Sequence, residues 1–195
     1  MKHAVIVCHP RPGSYTHAVA DAYASAVSAL GANVVTRDLY ALGFDPRLPA
    51  SELPGAPDYA VAPDAAAERA LLSDAGVFVL VYPFWFNAPP AMLKGYIDRV
   101  LGFGFGYRPG PTGVEPALFG RKLLSLTSSG APDFWLAKTG AVAALREYFD
   151  DHVAGVCGLT VVDHLHIGGI EPNITPEAVH EALQSVSAAA WRWFG

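Results

Sequence analysis

Only two cysteines, Cys8 and Cys157, occur in 195 residues. They make no metal-ligand spacing, and both stand in apolar, strand-like runs. They are read as free, buried thiols of a protein kept in the reducing cytoplasm. Charge is also scarce. Asp, Glu, Lys and Arg together make up 16% of the chain, the net charge is −5, and no basic run stands out. That argues against nucleic acid or an anionic membrane surface as the main partner. No apolar run is long enough to embed the chain in a bilayer, because Pro83, Asn87, Pro89 and Pro90 interrupt the longest one. The apolar part of Met1 to Cys8 is too short for a secretory signal, and Pro10 follows at once. Internal repeats and low-complexity segments are missing. So is the Gly-x-Gly-x-x-Gly loop of dinucleotide-binding folds. Neither a Ser–His–Asp arrangement nor a pair of working carboxylates is evident.

What is present is apolar sequence, 52% of the chain. That is enough for one domain, residues 1–195, with a substantial core. Ala4 to Cys8 reads as a buried strand, followed by the loop His9 to Tyr15 and a helix from Thr16 to Leu30. Ser14 or Thr16 would cap that helix and Gly31 would end it. Asn33 to Arg37 reads as a second strand, with Asp38 as a turn or capping residue. A stretch rich in Pro and Gly, Gly43 to Pro63, is long enough to lie at a pocket rim or against a partner subunit. A short helix, Asp64 to Ala75, leads to the third strand, Val77 to Tyr82. Lys122 to Thr127 and Gly155 to Val162 read as the fourth and fifth strands, Ala141 to His152 and Thr175 to Phe194 as helices. Unbroken apolar strands alternating with helices point to a parallel sheet covered on both faces.

Three strand ends carry chemistry. After the first strand, a loop of Pro, Gly and Ser meets a helix N-terminus, where free N–H groups and the positive helix end favour a phosphate. A capped helix with no ligand fits that stretch equally well. After the third strand, Phe84-Trp85-Phe86-Asn87 sits where ligands bind in open parallel sheets. Such rings either plug the sheet end or offer a platform for a flat ligand. After the fourth strand, Thr127-Ser128-Ser129-Gly130 lets a backbone approach closely and supplies donors. His164 and His166 would point to one face of the fifth strand. A metal would need a third ligand there and none is in view. Pocket lining by one of the two, or a surface position, fits better. The run Gly102 to Gly113 alternates glycine with aromatics and reads as a flexible link or as a gate tipped by Tyr107.

The segment Tyr82-Pro83-Phe84-Trp85-Phe86-Asn87-Ala88-Pro89-Pro90-Ala91-Met92-Leu93-Lys94-Gly95-Tyr96 closely resembles the signature of the NAD(P)H:quinone oxidoreductase flavoproteins, relatives of DT-diaphorase. The resemblance extends from Ala4 to about Ile170. It implies an α/β, flavodoxin-like three-layer sandwich, with a five-stranded parallel sheet in order 2-1-3-4-5 and helices on both faces. It implies a tightly bound FAD or FMN, with NAD(P)H as co-substrate and a quinone-like acceptor. His9, Ser14, Tyr15 and Thr16 stand where the family holds the flavin's ribityl phosphate. Pro83, Phe84, Trp85, Phe86 and Asn87 stand at the flavin ring, and Thr127, Ser128, Ser129 and Gly130 at its pyrimidine side. Tyr107 matches a pocket-lining loop. Trp135, or Phe134, falls near a Tyr that assists hydride transfer, and the family's assisting His has no clear counterpart. Relatives are homodimers. Some members are instead ancillary regulators of potassium-efflux transporters. A one-electron flavodoxin shuttle would need a phosphate loop that this chain lacks.

Overall fold

The computed structural model describes residues 1–111 and 113–195. Thr112, in the run read above as a gate, lies outside the described residues. In chain order the elements are β1 (Lys2–Val7), α1 (Tyr15–Ala29), β2 (Asn33–Asp38), α2 (Pro63–Leu72), β3 (Val77–Pro83), α3 (Ala91–Val100), β4 (Tyr107–Gly110), β5 (Gly113–Pro116), β6 (Lys122–Ser128), α4 (Asp133–Thr139), α5 (Ala141–Leu145), α6 (His152–Cys157), β7 (Thr160–Ile167) and α7 (Pro176–Phe194). The main sheet runs β2-β1-β3-β6-β7, and every neighbouring pair is parallel. This is the 2-1-3-4-5 order expected from the sequence.

Alternation along the central strands divides two cores. Ala4, Ile6, Cys8, Phe78, Leu80 and Tyr82 face the α3 side, packed with Leu93, Tyr96 and Val100. Val5, Val7, Val77, Val79 and Val81 face α1 and α7, where Val19, Tyr23, Val186 and Ala190 meet them. Both cysteines are free and buried. Burial pushes the Cys8 thiol up to about 12.

The structure differs from the sequence reading in three places. Gly155 to Cys157 is the last turn of a helix, not the start of the fifth strand, which runs Thr160–Ile167. A short apolar run is ambiguous between strand and buried helix, and Gly158 in the left-handed conformation (φ 79°) ends the helix. The helix expected over Ala141 to His152 contains a wider π turn at Arg146–Asp151. The glycine–aromatic run builds a hairpin, with β4 and β5 antiparallel, rather than an unstructured link.

The Pro/Gly-rich stretch is anchored from within. Arg99 of α3 is buried and donates to Glu52 and Asp64, to Glu52 Oε1 at 2.8 Å and to Asp64 Oδ2 at 2.7 Å. Its guanidinium also lies over the Phe44 ring at 5.0 Å. Gly95 of the signature explains itself here, since a Cβ would stand 2.1 Å from the Pro46 carbonyl oxygen. Only glycine lets this loop lie so close to α3.

Candidate active site

Parallel strands place all their carboxyl ends at one rim of the sheet, and the register brings the three chemical turns together there. Val7 pairs with Val81, and Pro83 pairs with Ser128. The Phe84 N–H donates to the Ser128 carbonyl at 2.8 Å, tying the β3 turn to the β6 turn. The His9 ring lies 5.8 Å from the Trp85 ring, tying the β1 loop to the β3 turn.

At the head of α1, Ser14 is buried and begins the helix without capping a backbone N–H with its side chain. The first helical N–H groups therefore remain available. The Ser14 hydroxyl pairs instead with His17 Nδ1 at 2.8 Å, and His17 Nε2 pairs with Asp38 Oδ2 at 2.9 Å. This Ser–His–Asp alignment was not visible in the sequence, because Asp38 reaches it from β2. Ser14 is sealed from solvent, so the alignment fixes the helix head and offers no accessible nucleophile. Asp38 also accepts from the Tyr40 and Ala41 N–H groups, as a turn residue would. Burial acts to raise its carboxyl, but the His17 and backbone bonds outweigh that and hold it below the usual range. Thr16 is buried. Tyr15 is half-buried, and its hydroxyl is sealed with no partner among the described residues. Burial pushes that hydroxyl up to about 12. His9 is half-buried, accepts from the Arg11 N–H at 3.1 Å, and is held below its ordinary value by burial.

The β3 turn reverses over Phe86 and Asn87, both left-handed (φ 50° and 57°). It is closed by Trp85 N–H to Ala88 O at 3.2 Å and Ala88 N–H to Trp85 O at 3.0 Å. Asparagine tolerates this conformation, but Phe86 is strained in it, a condition that clusters at ligand-binding sites. Trp85 is half-exposed and Phe86 fully exposed. Phe84 turns the other way. Its ring is buried and meets the His166 ring edge-on at 5.7 Å. Of the two readings the sequence left open for these rings, plug or platform, Phe84 follows the plug, with its ring in the core.

At the β6 turn, Thr127 and Ser128 are buried and Gly130 is exposed. Thr127 Oγ1 bonds both His164 Nε2 and His166 Nδ1 at 2.8 Å, and Ser129 Oγ bonds His166 Nε2 at 3.0 Å. The two histidines thus line the rim from beneath, and neither is a surface residue. Trp135, half-exposed, lies in α4 just beyond this turn beside the exposed Phe134. Tyr107 does not join the rim. It follows the far end of α3 and lines a separate groove of about 740 Å³ with Leu48, Leu53, Ile97, Tyr148 and Phe149. The sequence reading missed His17 altogether, while the paired spacing of His164 and His166 left pocket lining by one of them open, and the structure brings both to the rim.

A family model described as flavodoxin-like fold matches residues 1–190. The chain belongs to the flavodoxin-like fold family. An uncharacterized NAD(P)H oxidoreductase of Haemophilus influenzae is 38% identical over 109 residues, 55% of this chain and 54% of that protein. The aligned stretch thus spans about half the length of that relative. Ribosyldihydronicotinamide dehydrogenase (quinone) of Pongo abelii is 27% identical over 96% of this chain and 87% of its own length. Among solved structures, an NAD(P)H:quinone oxidoreductase from Methanothermobacter marburgensis superposes with a TM-score of 0.83, at 23% identity, covering 97% of this chain and 95% of that one. An FMN-dependent NADH-azoreductase of Bacillus anthracis, in complex with FMN, superposes with a TM-score of 0.70 at 17% identity over the whole length of both chains. At these identities the superpositions speak for the fold.

Proposed function

We propose that this protein is a flavin-dependent NAD(P)H:quinone oxidoreductase. Relatives named NAD(P)H dehydrogenase (quinone) support an oxidoreductase. The observation that carries the reading is the joining of three donor-bearing turns at one rim of the sheet, through Phe84 to Ser128 and His9 to Trp85. The residues present suit a flavin. The uncapped head of α1, beside His9, Ser14, Thr16 and the unpartnered Tyr15 hydroxyl, suits its phosphate. Among the described residues the N–H groups of Phe86, Asn87 and Gly130 have no partner, and they suit the acceptor atoms of its ring.

An FMN or FAD held there would supply two-electron hydride chemistry between NAD(P)H and a quinone-like acceptor. The protein's part is to bind, orient and tune. The β3 turn holds Trp85 and Phe86 as flanking rings. The β6 turn, Thr127-Ser128-Ser129-Gly130, would offer the Ser129 hydroxyl and the Gly130 N–H where negative charge needs donors, with Thr127 and Ser128 buried behind them. Trp135, half-exposed in α4, which follows this turn in the chain, is proposed as a pocket-lining residue. NAD(P)H and acceptor would use one open face by turns, which is a ping-pong scheme. Tyr107 would reach such a face only across a subunit boundary. Its apolar groove, with the half-exposed Leu48 and Leu53, is therefore proposed as the contact of a homodimer. Double-reciprocal plots for NADH oxidation at several fixed quinone concentrations should be parallel in flavin-loaded protein. Intersecting lines, or no quinone-dependent turnover, would contradict the scheme.

A further inference from the structure

Beneath the β6 turn runs an unbroken hydrogen-bonded chain with one fully buried end. Asp150 is 0% exposed. The π turn at Arg146–Asp151 carries it into the core, while its neighbours Tyr148 and Asp151 stay exposed. π turns are costly and recur at functional positions. No lysine or arginine pairs with Asp150 among the described residues. Its partners are Ser125, which donates to Oδ1 at 2.8 Å, and His164, whose Nδ1 lies 2.6 Å from Oδ2. From His164 the chain continues through Thr127 and His166 to Ser129, at the rim.

Donor and acceptor rules leave this chain two consistent states. With Asp150 ionised and His164 neutral, every bond points inward. Ser129 donates to His166 Nε2, His166 Nδ1–H to Thr127, Thr127 to His164 Nε2, and His164 Nδ1–H to Asp150. The Ser129 oxygen can then only accept from a ligand. With His164 an imidazolium, the three outer bonds reverse. His164 Nε2–H donates to Thr127, Thr127 to His166 Nδ1, and His166 Nε2–H to Ser129. The Ser129 proton, released from His166, then turns away from the chain, where the Ala131 carbonyl at 3.3 Å is its partner within the protein and a ligand acceptor at the rim competes for it.

We propose that Asp150, His164 and Thr127 are positioning residues for the rim, where one proton taken up by the chain reverses its bonds and turns Ser129 from acceptor to donor toward the ligand. The proton balance closes. One proton from solvent arrives at Ser129 Oγ, whose own proton passes to His166 Nε2. The His166 Nδ1 proton passes to Thr127 Oγ1, and the Thr127 proton to His164 Nε2. One proton is gained and no electron moves. The identity of the ligand as a flavin rests on the function proposed above; the reversal itself does not. A flavin that gains negative charge on reduction would favour the donating state, and by linkage would raise the chain's affinity for its proton.

The surroundings suit this role. Both states need His166 neutral, and its pKa is lowered to about 4 by burial and by His164, with Asp133 acting in opposition. The other ionisable groups facing the chain are Tyr82, Asp163 and Arg146. Burial and then the Asp150 charge push the Tyr82 hydroxyl well above its usual range. Asp163 accepts from the His164 N–H at 2.8 Å and lies 3.4 Å from Arg146.

Nitrogen NMR of the imidazoles in flavin-free protein reads both protonation and tautomer. In the wild type, His166 should change from Nδ1–H to Nε2–H with the same midpoint at which His164 becomes an imidazolium. In Thr127→Val, His164 should still titrate while His166 keeps one tautomer. Should that variant fail to fold, Asp150→Asn serves instead, and it should abolish the His166 change. A His166 tautomer that stays fixed while His164 titrates, or that switches equally in the variants, overturns the proposal. So does a His164 that never takes a second proton while the protein is folded. With FMN bound, the two-electron potential of the wild type should change slope by about 30 mV per pH unit at the same midpoint, and that of Asp150→Asn should not. A coupled switch in a protein that binds neither FMN nor FAD would refute the flavin reading while keeping the relay.

Discussion

Single residues decide how the rim is held in place. Arg99 is the clearest case, because its guanidinium satisfies Glu52 and Asp64 at once from inside the core. Removing it leaves Glu52 buried and uncompensated. Arg99→Met should cost about 3–5 kcal/mol in chemical denaturation, and a loss below about 1 kcal/mol would contradict this account. His3 sets a pH limit. Its Nδ1 pairs with the Tyr23 hydroxyl at 2.8 Å, and its pKa is lowered to about 4 by burial, then by the N-terminal amine and Lys122. Above pH 6.5 it is neutral in folded and unfolded chains alike and contributes no pH dependence. Between 6.5 and about 4 only the unfolded chain takes the proton, so stability falls as pH falls. The urea midpoint of the wild type should therefore drop between pH 7 and 4.5, and that of His3→Gln should drop less. Equal drops would show that His3 is not the titrating group.

At the scale of elements, the β3 turn carries the strain and the rim carries its benefit. Phe86 is fully exposed and left-handed, so its ring contributes nothing to the core while its backbone costs energy. Phe86→Gly should stabilise the flavin-free protein by about 0.5–1 kcal/mol, the released strain outweighing the added freedom of the unfolded chain. The same change should weaken flavin binding, measured by fluorescence titration. A variant that is less stable, or that binds flavin as tightly, would contradict a strained turn kept for its ligand. The sequence made much of this element legible. The apolar run of β3 and the prolines that interrupt it located the turn, and its composition allowed either a plug or a platform for a flat ligand. It did not reveal that Phe84 points inward, because alternation is lost where a strand becomes a turn. Nor did it reveal Asp150. A π turn shifts helical facing without any mark in hydrophobic spacing, so a core aspartate reads like a surface one.

Over the whole molecule, strand order and the convergence of the β1, β3 and β6 turns were legible, because unbroken apolar strands with intervening helices leave few topologies open. Contacts between distant segments were not. Asp38 beside His17, Arg99 beneath the Pro-rich loop, and the chain from Asp150 to Ser129 join residues far apart in sequence. The central claim is that these turns grip one flavin together. Calorimetric titration of flavin-stripped protein with FMN and FAD tests it most directly. The account predicts one flavin per chain, with affinity lowered at least tenfold, about 1.4 kcal/mol, by Tyr15→Phe at the first turn and by Trp85→Ala at the second. Absence of binding by either flavin, or binding indifferent to both substitutions, would contradict it.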